Sequence, residues 1–188
     1  MKAALVLIDI QKDYFPDGNR PLFQPESAAG HAKALLEFFR QEGLDVFHIQ
    51  HISTKADATF FQPDTEGIEI HPLVYPLPTE TVFVKHFPDS FQETGLEQAL
   101  REKQIDTLVI CGMMSHMCID TSVRAAKRLM FSVLLAEDAC TIRALNWRGT
   151  EIPATTVHQT TMASLDGSFA QVLPTEEILR HLANEQHT

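Results

Sequence analysis

Six consecutive apolar residues, Ala3–Ile8, run without a break and stop abruptly at Asp9. A run with no polar side settles best where both of its faces are covered, as in a strand inside a parallel sheet. Further strand-length apolar runs follow at residues 45–52, 81–84, 106–111, 132–136 and 169–172, and stretches of helical periodicity separate them. Residues 27–41 carry Ala28, His31, Ala32, Leu35, Leu36 and Phe39 at helical spacing, with Gly43 as the stop. Helices are also expected from Thr94 through Leu100, over 116–130, from Pro153 onward and over 175–184. This β–α alternation predicts a parallel sheet with helices on both faces. No repeat, biased tract or linker interrupts it, so residues 1–188 are expected to form a single domain.

Composition narrows the function classes. The chain is 44% hydrophobic and 21% charged over 188 residues, enough for one full core. No apolar run approaches the roughly 20 residues that cross a bilayer. A formal net charge of −10 argues against nucleic acid or an anionic membrane surface as a partner. Residues 1–8 are too short and lack the cleavage site of a signal peptide. With three cysteines, an odd number, a disulfide scaffold is not expected, and a reducing, cytoplasmic setting is.

Residues 53–80 break the rhythm with Pro63, Gly67, Pro72, Pro76 and Pro78. A long irregular insertion in a small domain is more often functional than decorative, and this one is expected to wall a pocket, in its own site or a neighbour's. Ligands of open parallel sheets bind beyond the carboxyl ends of the strands. That rule selects Asp9, His51, Lys85, His86, residues 111–118 and Asp138. Cys118 follows a strand and Ser115, a plausible N-cap; an early helical turn there would favour a thiolate and offer N–H groups to an oxyanion. The alternative is a small buried hydrophobe, the expected role of Cys111; Cys140 suits packing or a pocket rim. Asp9 is either a loop anchor or a general base. Lys85 is either a surface lysine snorkelling over the sheet edge or the cation that holds Asp9 ionised. His48 and His51, three apart on a strand, should face opposite ways and make a poor ligand pair. The turn after strand one has no glycine, so a dinucleotide fingerprint is absent, and no Walker A sequence occurs.

Four segments together resemble the isochorismatase-like cysteine hydrolases, the superfamily of nicotinamidases and N-carbamoylsarcosine amidases: LVLIDIQKDYF at 5–15, VFVKHFPDSF at 82–91, LVICGMMSHMCIDTSVRAA at 108–126 and LLAEDAC at 134–140. The resemblance implies an α/β, doubly wound, Rossmann-like three-layer sandwich whose six-stranded parallel sheet has the order 3-2-1-4-5-6. It implies a catalytic triad of Asp9, Lys85 and Cys118, a cis peptide between Met113 and Met114, and an oxyanion hole from the backbone N–H groups of Met114 and Cys118. It also implies a homo-oligomer, dimer or tetramer. Metal-dependent nicotinamidases carry Asp-x-His after strand two. Here the stretch reads His48-Ile49-Gln50-His51-Ile52-Ser53, so neither metal nor cofactor is expected. The implied reaction is thioester-mediated cleavage of an amide, ureido or carbamoyl C–N bond in a small molecule. A vinyl-ether hydrolase and a non-catalytic binding protein on the same fold are the alternatives. Phe15, Phe87 and Phe91 neighbour the triad in sequence and are expected to line the substrate pocket, with Gln50, His51 and His116 as its polar contacts.

Overall fold

The computed structural model describes residues 1–186; the last two residues of the expected domain lie outside them. Among the described residues, eight strands and five α-helices follow in the order β1 (Ala3–Ile8), α1 (Pro25–Gln41), β2 (Asp45–His51), β3 (Thr81–Lys85), α2 (Leu96–Glu102), β4 (Thr107–Met113), α3 (Asp120–Arg128), β5 (Ser132–Thr141), β6 (Leu145–Trp147), β7 (Thr150–Ile152), α4 (Ala154–Leu165), β8 (Gln171–Leu173) and α5 (Thr175–Gln186). The main sheet has six strands in the order β3-β2-β1-β4-β5-β8, every neighbouring pair parallel. With β8 as the sixth strand of the sheet, this is the implied order.

Strand periodicity divides the core in two. Leu5 and Leu7 point into one layer with Ala28, Leu35 and Phe39 of α1 and Ile178 and Leu182 of α5. Ala4, Val6 and Ile8 point into the other with Leu96 and Leu100 of α2, Val123 and Ala126 of α3, and Met162 and Leu165 of α4. Both faces of β1 are therefore covered, which is why its sequence does not alternate.

Several boundaries differ from expectation. Helix α1 begins two residues early because Pro25 takes the first helical position, where its missing N–H is harmless. The single helix expected over 116–130 is a π-helical turn, Ser115–Ile119, followed by α3. Strand β5 runs on to Thr141 after a register shift opposite β4 between Ile110 and Gly112. At that shift Gly112 adopts φ +132, and a Cβ there would stand 2.0 Å from the Ile8 carbonyl oxygen. The β6–β7 hairpin was not expected. Its two-residue turn, Arg148-Gly149, has positive φ at both positions, the signature of a type I′ connection.

The insertion at 53–80 is not shapeless. Two 3-10 turns, Glu66–Ile68 and Pro72–Val74, punctuate it. It is stitched to the segment after β1 by Lys12 N–H to the Glu69 carbonyl at 2.9 Å and His71 N–H to the Ile10 carbonyl at 2.8 Å. None of the helices among the described residues is long and apolar enough to cross a membrane.

Candidate active site

The carboxyl ends of β1, β2 and β3 converge on one point. Asp9 leaves β1 in the left-handed region, φ +53, and is fully buried. Lys85 closes β3, in register with His51 at the end of β2. Its side chain reaches past β2, so that Nζ lies 2.8 Å from Asp9 Oδ2, with neither side chain exposed. The same ammonium donates to the carbonyls of Phe87 at 3.0 Å and Pro88 at 3.2 Å. Lys85 is therefore no surface lysine. Burial works against its charge, but the Asp9 carboxylate and the Cys118 sulfur more than offset that, and its pKa is raised. A buried carboxylate is costly without compensation. Neither oxygen of Asp9 accepts a well-angled hydrogen bond among the described residues, so the ion pair supplies that compensation and leaves lone pairs free to take a proton.

Cys118 arrives from β4 through the peptide between Met113 and Met114, which is cis, and sits in the π-helical turn. It is 4% exposed. One ligand atom each of Asp9, His51 and Cys118 lies within 4.8 Å of the others. Burial, and then the facing carboxylate of Asp9, push the thiol well above its ordinary range, while Lys85 pulls it partly back. Desolvation at this depth thus works against the thiolate expected of an early helical turn. Ser115 is not the N-cap either. Its hydroxyl is paired with His158 Nδ1 of α4 at 2.9 Å, and no side chain caps the turn.

The three-donor cluster of Asp9, His51 and Cys118 is of a kind that can bind a cation, and the sequence spacing did not reveal it. The Lys85 ammonium already stands among these groups, 2.8 Å from Asp9 and 3.3 Å from His51 Nδ1. A metal ion would have to displace it.

A cavity of about 540 Å³ is reached by the cluster through His51 and is otherwise walled by Phe60, Phe61, Phe87, Pro88 and Met117 with polar loop residues; Asp9, Lys85 and Cys118 are not in its lining. Of the six residues expected to line the pocket, His51 and Phe87 do. The other four lie elsewhere. Phe15 stacks on His71, ring centroids 3.7 Å apart, beside a separate cavity of about 490 Å³. Gln50, one strand position before His51, faces the other way and donates to the Ile68 carbonyl at 2.8 Å. Phe91 stacks on Phe131 in the layer under α2 and α3. His116 is not among the cavity's lining; its neighbouring charges are Arg143 and Asp120, and burial lowers its pKa. His48 is likewise turned away from His51, bound to Glu80 at 2.9 Å.

Three residues near the cluster escaped the sequence reading. Gln11 clamps the His51 backbone from both sides, accepting from its N–H at 2.7 Å and donating to its carbonyl at 2.9 Å. Tyr14 is buried with its ring 4.7 Å from that of Phe61, and its pKa is raised by burial and then by Cys118 and Asp9. Phe61 itself stacks on the His51 ring. The doublet Phe60-Phe61 inside a polar insertion was the available signal.

A parallel three-layer α/β sheet with an acid, an ammonium and a thiol at its strand ends describes a class of small hydrolase domains, and the sequence comparisons identify which one. The isochorismatase domain profile matches residues 3–177, and the chain belongs to this family of hydrolases. It is 49% identical over 180 residues to the uncharacterized isochorismatase family protein YddQ of Bacillus subtilis, covering 96% of this chain and 100% of that one. It is 32% identical over 136 residues to a streptothricin hydrolase of Streptomyces noursei, covering 72% of this chain and 48% of that protein. A crystal structure from Oleispira antarctica assigned to the isochorismatase hydrolases superposes with a TM-score of 0.91 at 40% identity, covering 95% of this chain and 96% of the other.

Proposed function

We propose that the protein is a cysteine hydrolase that cleaves a C–N bond of a small amide, ureide or carbamoylated amine through a thioester on Cys118. The observation that carries this reading is the convergence of Cys118 and Asp9, their nearest ligand atoms within 4.8 Å, with Lys85 2.8 Å from the same carboxylate.

Because burial and Asp9 push the thiol up, its activation in this reading belongs to the chemical step. Asp9 takes the S–H proton as sulfur bonds to the carbonyl carbon, and negative charge moves to the carbonyl oxygen. In this reading the backbone N–H groups of Met114, after the cis peptide, and of Cys118, in the π-helical turn, receive that oxygen. Collapse of the tetrahedral species breaks the C–N bond, and the proton held by Asp9 passes to the departing amine. A water then gives a proton to Asp9 as its oxygen attacks the thioester. When the C–S bond breaks, that proton returns to sulfur and the acid product leaves. Lys85 fixes the carboxylate and balances its charge throughout.

The test is an ammonia-release and amine-release screen over amides, ureides and carbamoylated amines. One of these classes should be turned over, and Cys118→Ala should lower that turnover by about a thousandfold or more. Turnover surviving within a few-fold removes the nucleophile. Vinyl-ether cleavage, without any acyl adduct on Cys118 by intact-mass measurement, replaces the C–N reading.

A further inference from the structure

His51 is preset rather than mobile. Gln11 holds its backbone from both sides. Phe61 lies against its ring at a centroid distance of 5.6 Å and an interplanar angle of 28°. Lys85 Nζ stands 3.3 Å from Nδ1. The three ammonium hydrogens have Asp9 and the carbonyls of Phe87 and Pro88 as partners. But an ammonium offers no lone pair and its charge opposes an N–H aimed at it, while Asp9 Oδ2 is 3.9 Å from Nδ1, beyond hydrogen-bond reach, so a bare Nδ1 is the favoured form. Lys85 cannot swing aside, since Asp9 and the carbonyls of Phe87 and Pro88 already fix it. If Nδ1 is bare, the ring proton sits on Nε2, on a ring that walls the cavity beside Phe60, Phe61 and Phe87.

We infer that His51 is a specificity-determining residue locked in one tautomer, offering Nε2–H to the cavity, and that the substrate carries a hydrogen-bond acceptor beside its scissile carbonyl. This rests on the cysteine-hydrolase reading, which puts that carbonyl at Cys118 Sγ. The groups acting on the imidazole agree with a neutral ring: burial, with Lys85 and His86, outweighs Asp9 and lowers its pKa to about 4. When the cavity fills, the donor is met by the ligand or left unpaired. An unpaired buried donor is penalised more than a made bond is rewarded, so ligands without an acceptor are rejected.

Picolinamide and benzamide are suitable probes, alike in size and differing by a ring nitrogen beside the carboxamide. In the unreactive Cys118→Ala protein, picolinamide should bind at least about tenfold more tightly, and His51→Phe in that background should erase the difference. Equal binding of the two, or binding of neither, overturns the inference whether or not any amide is hydrolysed. Nitrogen-15 NMR of the imidazoles supplies a readout free of ligand. His51, assigned by its loss in His51→Phe, should show a protonated Nε2 and a bare Nδ1 unchanged between pH 8 and 5. A proton on Nδ1, or titration near the ordinary histidine value, overturns it. Failure of the hydrolase reading would appear separately, as the amide screen finding no substrate while tautomer and binding preference persist.

Discussion

The proposed nucleophile carries a prediction for its own reactivity. Burial and then Asp9 push the Cys118 thiol up, which disfavours a thiolate at neutral pH. Iodoacetamide should therefore label it slowly at pH 7 and about tenfold faster per pH unit through pH 9. Fast labelling that is flat across this range would reveal a resting thiolate and contradict the environment described here. At this scale the three groups of the cluster were legible because each ends a strand of one parallel sheet, and such ends meet. The pocket residues were less so. Gln50 and His51 are adjacent in sequence, but a one-residue step on a strand changes the face, and only the register of β2 decides which is presented. Phe15 and Tyr14 part in the same way, since the 3-10 turn Lys12–Tyr14 turns Tyr14 toward Phe61 and leaves Phe15 on His71.

The insertion at 53–80 is held by two anchors, and each predicts its own failure. Asp13 is its inner anchor: the carboxylate accepts from Asn19 N–H at 3.0 Å and Phe61 N–H at 2.5 Å. Gly67 lies so close that a Cβ would stand 2.3 Å from that carboxylate. Gly67→Ala should lower the unfolding free energy by about 1–3 kcal/mol, the usual range for overpacking, as read by urea denaturation. A value within error of wild type would show that the anchor gives way freely. Glu80 is the outer anchor, accepting from Arg40 at 2.7 and 2.8 Å, from Leu77 N–H at 2.9 Å and pairing with His48 at 2.9 Å. Burial opposes its charge, but these partners prevail and lower its pKa from 4.5 to about 2. A carboxylate with a depressed native pKa stabilises the fold above its unfolded value and loses that contribution as pH falls through the native one. Wild-type stability should thus decline between about pH 4.5 and 2 by more than that of Glu80→Gln, which starts lower at neutral pH. Parallel declines in urea titrations would remove Glu80 from this role. The position of the insertion was readable from its prolines. Its order was not, because the bonds that shape it go to residues some forty to sixty positions away.

At the scale of the molecule, one sheet serves both apolar layers, so the core should unfold as a unit. The chain's single tryptophan would miss that event. Trp147 lies on the β6–β7 hairpin outside the main sheet and is 65% exposed. Its emission should already be that of a water-exposed indole and shift little on unfolding, while circular dichroism changes cooperatively. A native emission shifted to the blue would mean that something covers the hairpin in solution. The architecture also separates two duties. The proposed bond-breaking groups are carried by the ends of the sheet strands and the turn after β4, whereas much of the chamber next to His51 comes from the long excursion between β2 and β3. On that reading, exchanging the excursion for another of similar length would re-tailor what the molecule accepts while leaving the strand-end groups in place, so diversification can proceed by tinkering with one segment of chain.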